Sequence, residues 1–171
     1  MTEITETVLD PRQAPTQHVV VLQALHAAPL RAAELAARLP AAAHDWQSAP
    51  DTWSARMLAA HLAGAEAPFL KRLQTIVKEI DPWLPYFGPD IARPDAPGTL
   101  PELLEQFRQE RQALVRMLVD LSPADWERPA LHQTMGPTTL ALQVQDLANH
   151  DAEHIEQFGE VVQAWERRAH D

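Results

Sequence analysis

Residues 139–168 read TLALQVQDLANHDAEHIEQFGEVVQAWERR, and the spacing inside this stretch decides the fold. Leu140, Val144, Leu147, Phe158, Val161 and Trp165 recur at intervals of three and four, the period of one helix face. Two histidines, His150 and His154, fall in the same stripe. Side chains four apart on a helix stand one above the other, so these two imidazoles share a face that is otherwise apolar.

Three earlier stretches carry the same period. One begins at about Thr16 and uses Val19, Leu22, Leu25, Leu35 and Leu39; Pro29 either kinks it or starts a second piece. The next runs from about Ser54, its N-cap, to Ile80, with Met57, Leu58, His61, Leu62, Ala65, Phe69, Leu73, Ile76 and Ile80 on one face and Pro68 inside. The third opens with a capping box, Thr99 to Glu102, and continues through Leu103, Leu104, Phe107, Leu114, Met117, Leu118 and Leu121. Ser122 to Asp125 reads as a short capped turn leading to Trp126. No strand, internal repeat or low-complexity tract stands out. The expectation is an all-α four-helix bundle, one domain over residues 1–171 with residues 1–14 as a tail.

Linker length adds topology. A second helix of ~27 residues is about 40 Å long, and the ~18-residue Pro-rich segment after it spans up to about 60 Å when extended. That segment can travel the length of the bundle and leave helices two and three parallel. A simple hairpin needs only ~2–8 residues.

Composition narrows the function classes. The chain has 24 acids against 14 bases, a formal net charge of -10, which argues against a nucleic-acid partner. It has no cysteine, so no disulfide and no thiol of its own can serve as nucleophile or ligand. The start, MTEITETVLDPRQ, lacks the apolar core of a secretory signal, and no stretch approaches a ~20-residue apolar span. The expectation is a cytoplasmic protein with no membrane partner.

His61, in LAAHLAGAE (58–66), lies in the apolar stripe of the second helix as His150 and His154 lie in that of the last. Three imidazoles buried separately without partners would cost too much. Either one shared cation or a dense polar network accounts for all three. Three histidines around a metal leave coordination positions open, the pattern of a catalytic site. Glu66, Asp146, Asp151 and Glu153 are the acids within reach to orient such rings. Asp146, four before His150, shares its face and is placed either to orient that ring or to coordinate directly, whereas Asp151 and Glu153 read more simply as solvated acids. His18, His26, His44, His132 and His170 read as surface or loop residues.

The order of motifs resembles the DinB/YfiT-like superfamily of small metal-binding four-helix bundles, over about residues 20–165. The residues that carry the resemblance are DTWSARMLAAHLAGAE, the Pro-rich linker, TLPELLEQFRQERQALVRML and GPTTLALQVQDLANHDAEHIEQF. It implies an up-down-down-up bundle, a site built from His61, His150 and His154, a divalent ion such as zinc or nickel, and frequent homodimers. Relatives with bacillithiol S-transferase and mycothiol-dependent isomerase activity make a small-molecule thiol the implied partner. Family-like sequences place an acid three residues after the helix-starting Ser and Thr; here Met57 and Leu142 stand there instead. The functional expectation is metal-assisted activation of a small thiol or of water. The rivals are a non-catalytic, stress-associated metal- or ligand-binding bundle and a metal-free His–Asp network. The Ala-rich helices and the apolar residues around Trp83, Tyr86 and Phe87 exceed what a thin bundle core needs and point to a homodimer; more simply, these aromatics cover the bundle's end.

Overall fold

Four long helices form where the apolar stripes lie: α1 (Val19–Ala36), α2 (Ala55–Lys78), α3 (Leu100–Val119) and α5 (Leu140–Arg168), with a four-residue α4 (Pro123–Trp126) between the last two. This computed structural model describes residues 18–88 and 93–168, so the expected tail, the helix start at Thr16 and His170 lie outside the described residues. The helix starts follow from capping chemistry. Thr99 and Ser122 each close a reciprocal box, with Glu102 and with Asp125. Ser54 accepts from the Met57 N–H at 3.2 Å and Thr139 from the Leu142 N–H at 3.3 Å, so both caps form without an acid to complete a box.

Helix α1 packs against α3 and α5, and α2 packs against the same two, so the consecutive helices α1 and α2 face each other across a diagonal. Side chains tie the helix ends. Arg56, at the start of α2, donates to the carbonyl of Ala96, just before α3, at 2.9 Å. Arg128, beyond α3, donates to the carbonyls of Ile76 and Glu79 at the end of α2, both at 2.8 Å. Arg38 and Glu166 join the ends of α1 and α5. One end of the core is built on Phe69, Leu73, Ile76, Leu118, Trp126 and Val144, the other on Leu58, Leu100, Leu103, Phe158 and Val162.

Three points differ from the sequence reading. First, a small sheet exists: β1 (Trp83–Leu84), β2 (Pro129–His132) and β3 (Gly136–Thr139), in the order β1-β2-β3. β1 pairs parallel to β2, with Trp83 opposite Leu131; β2 pairs antiparallel to β3, with His132 opposite Gly136. Strands this short, two of them containing proline, are too brief to show a period of two. Pairing across the chain makes them, through Leu131 N–H to Pro82 O and Gln133 N–H to Leu84 O, both 2.9 Å. Second, α2 stops at Lys78, and Ile80 is 89% exposed instead of belonging to the buried face. Third, α1 is long and apolar enough to cross a membrane by length and composition alone. In this fold its Leu22, Leu25, Ala28 and Ala32 are buried in the bundle.

Pro29 leaves α1 unbroken. A proline in a helix interior has no N–H for the carbonyl four residues before it. The carbonyl so deprived is Leu25's, and Arg111 of α3 donates to it at 3.1 Å. Burial of this oxygen is therefore matched by a charged donor from the neighbouring helix.

Candidate metal centre

His61 enters from α2, and His150 and His154 from adjacent turns of α5. The structure brings all three together: one ring nitrogen from each lies within 4.8 Å of the others. His61 Nε2 and His150 Nε2 are 3.0 Å apart. Ring centroids are 5.1 Å apart for His61 and His150, and 4.5 Å for His154 with each of them. Tetrahedral bonds of ~2.0–2.1 Å to one zinc-like ion place ligand nitrogens about 3.3 Å apart, so only side-chain adjustment separates this cluster from coordination geometry.

The rings are held from outside the cluster. His154 Nδ1 lies 2.9 Å from Gln157 Oε1, one turn on. An amide oxygen only accepts, so Nδ1 carries the proton and donates, leaving the Nε2 lone pair for a ligand role. Burial lowers the pKa of His154 below the ordinary histidine value, more than the Gln157 bond raises it, so the ring stays neutral and able to ligate. Trp53, from the loop before α2, stacks on His154 at 5.8 Å and 11°, and tilts against His61 at 5.0 Å. His150 Nδ1 is buried without a hydrogen bond; its nearest charged group is Asp151 Oδ1 at 3.7 Å.

Asp151 is not a solvated acid. It is buried, and with Glu66 it grips Arg111. Arg111 Nε donates to Glu66 Oε2 at 2.9 Å and Nη2 to Asp151 Oδ1 at 3.1 Å, while Nη1 serves both Asp151 Oδ2 and the Leu25 carbonyl. Two carboxylates against one guanidinium leave a net negative charge beneath the histidines, which favours a cation above. Burial pushes the Glu66 carboxyl above the usual range, outweighing the pull of Arg111. Burial also acts upward on Asp151, but the Arg111 charge and bonds, helped by His150, hold it below that range. Sequence reading missed Arg111, yet the signal was present: Phe107, Arg111, Leu114 and Leu118 share one stripe, so this arginine stands on a buried face. Glu66 and Asp151 occupy stripe positions of α2 and α5 in the same way.

The remaining acids sort differently. Glu153 is exposed, as expected. Asp146 does not bond His150; it lies in a cleft of about 550 Å³ that also holds His61, His150, Arg72 and His132. His132 is buried, not on the surface, because β2 carries it inward and its Nδ1 accepts from the N–H groups of Thr134 and Met135, both at 3.3 Å. His154 borders another cleft, of about 770 Å³, with Trp53, Thr52, Gln157 and Arg167. The histidine cluster is therefore approached from two clefts. His18 stacks on Trp126 at 3.9 Å, and His26 and His44 lie away from the cluster.

A model described as the DinB superfamily matches residues 24–158. Among solved structures, the fold is similar to that of YfiT from Bacillus subtilis, with a TM-score of 0.72 at 15% identity, over 95% of this chain and 92% of that one. YfiT is described as a probable metal-dependent hydrolase with an unusual four-helix bundle topology. No curated protein sequence matches this chain.

Proposed function

We propose that this chain, which belongs to the DinB superfamily, is a divalent-metal-dependent enzyme in which His61, His150 and His154 are the ligands. The observation that carries the reading is the convergence of three imidazole nitrogens within 4.8 Å, with Gln157 bonded to Nδ1 of one of the rings. Zinc and nickel suit an all-imidazole donor set. A divalent ion held by three neutral ligands keeps its charge and lowers the pKa of a thiol or water in its open positions.

The chain's own residues do the rest. Gln157 and Trp53 fix His154, and the Arg111 pair with Asp151 anchors the turn that presents His150. With no cysteine in the chain, a thiol nucleophile has to come from a cosubstrate. Two clefts meeting at one cluster support transfer between two small molecules, thiol and electrophile. The second reading, activation of water for hydrolysis, is favoured by the likeness to YfiT. An up-down-down-up arrangement of α1, α2, α3 and α5 is part of the same reading, supported by the ties at the helix ends. So is a homodimer, supported by exposed Ile80, Trp83 and Leu131 where β1 meets β2.

The test is elemental analysis of protein purified without an affinity tag, followed by thiol-transfer and hydrolysis screens. About one equivalent of metal per chain with turnover in either screen is the expected result. Stoichiometric metal with no turnover across many acceptors would mean a binding protein. Absence of metal after reconstitution with zinc and nickel would leave a His–Asp network in its place.

A further inference from the structure

The cleft that holds His61 and His150 has a second pole that metal ligation does not use. Arg72 of α2 is 6% exposed and forms no ion pair among the described residues. Its guanidinium lies 3.4 Å from the Phe87 ring centre and 5.5 Å from that of Phe69. Nη2 donates to the Pro85 carbonyl at 2.6 Å and Nη1 to Gln143 Oε1 at 3.2 Å. Nε is buried with no partner at all. A guanidinium carries five N–H donors, so most of its capacity is unspent, and a buried charge without a counter-ion is costly. The cleft is also lined by the carboxylates of Asp146, whose charge acts on Arg72 without an ion pair, and of Glu153, and by His132, whose pKa burial and Arg72 lower.

Phe69 stands between this cation and the histidines, its ring 6.1 Å from that of His150. The floor between the poles is apolar, made by Ala65, Phe69 and Met135. We infer that this cleft is the seat of a small anionic substrate, whose carboxylate or similar oxyanion pairs with Arg72 while its reacting group reaches the three-histidine cluster. The inference rests on the proposed metal centre for what happens at the far end, but not for Arg72 itself. A planar guanidinium held over the Phe87 ring is preorganised for a planar carboxylate. An uncharged molecule of the same shape would leave the arginine's donors unmatched and bind more weakly.

The experiment compares 3-mercaptopropionate with its uncharged amide, titrated into cobalt-loaded protein and followed by the cobalt–thiolate absorption. The carboxylate is expected to bind about tenfold more tightly than the amide, the effect of one charge-assisted pairing. Arg72→Gln should abolish that ratio while leaving cobalt binding and amide affinity in place. Arg72→Lys, which keeps the charge, should retain part of it. A ratio near one in the wild type, or one that survives in Arg72→Gln, overturns the inference. So does an equal loss in the Lys variant, which would mean that packing and not charge was lost. If neither thiol gives the cobalt band, the metal-activation reading fails instead. The Arg72 subsite is then decided by calorimetry of the same pair on metal-free protein, with the same ratio as the criterion.

Discussion

Replacing Arg111 by Met tests the buried triad most directly. The perturbation removes the one positive charge between Glu66 and Asp151, which are 1% and 3% exposed, and leaves both carboxylates uncompensated. Breaking a buried ion pair from one side costs about 3–5 kcal/mol, because the remaining charge stays desolvated. The orphaned Leu25 carbonyl adds about 1 kcal/mol or more. For a chain of this size, each kcal/mol moves the melting temperature by roughly 2–4 °C, so a fall of roughly 8–24 °C is expected at pH 7. Circular dichroism melts measure it. The pH dependence gives a second reading. In the wild type, the depressed Asp151 contributes stability above the unfolded carboxylate pKa that is lost as pH falls through its lower folded value. The raised Glu66 does the reverse, its penalty at neutral pH lifting as it protonates. Without Arg111 both carboxyls are raised, so the variant's deficit should shrink from pH 8 to pH 5. Adding Glu66→Gln and Asp151→Asn should recover part of the loss. A single variant within about 1 kcal/mol of wild type, or a deficit indifferent to pH, would refute the argument.

Other outcomes follow from the same geometry. His154→Ala should lose metal and the chelator-sensitive part of stability, which for a ligand at ~100 times its dissociation constant is about 2.7 kcal/mol; His26→Ala should lose neither, as melts with and without chelator will tell. Metal affinity should weaken as pH falls, since protons compete for the imidazoles, but burial of His154 delays that ring's protonation below the ordinary histidine range; competition titrations between pH 5 and 8 check this. Thr99→Ala removes the hydroxyl half of the α3 capping box, leaving the bond from the residue-99 N–H to Glu102, and should cost about 1 kcal/mol in chemical denaturation. Light scattering at tens of micromolar should give a dimer mass, reduced to monomer by Trp83→Glu; a wild-type monomer would remove the dimer from the reading.

The four helices were legible because each stripe is long enough for its period to outvote local exceptions. The meeting of His61, His150 and His154 was legible for a related reason: a polar ring in an apolar stripe has to be accounted for inside the core. The same rule applied to Glu66, Arg111 and Asp151 would have exposed the triad. A lone acid or arginine is easily assigned to solvent, and Asp151, beside His150 in sequence, was so assigned. The small sheet, the inward turn of His132 and the unspent donors of Arg72 were not legible. They depend on a parallel pairing between Trp83 and Leu131, residues nearly fifty apart in sequence, which no local pattern encodes. The length of the linker after α2 did carry information, since only a long segment can both pair with β2 and return to Ala96 beside Arg56.

Pro29 has a consequence for anyone who would engineer this protein. By helix propensity alone, exchanging an interior proline for alanine stabilises by up to about 3 kcal/mol. At this position the alanine N–H would compete for the Leu25 oxygen that Arg111 now uses, and a guanidinium donor buried between two acids would lose its carbonyl partner. Much of the expected gain would be returned, at about 1–3 kcal/mol for an unmet charged donor. The residue that a propensity scale marks as the flaw of α1 is the one that lets α1 reach the charged layer under the histidines. Repairing the helix would loosen the bundle.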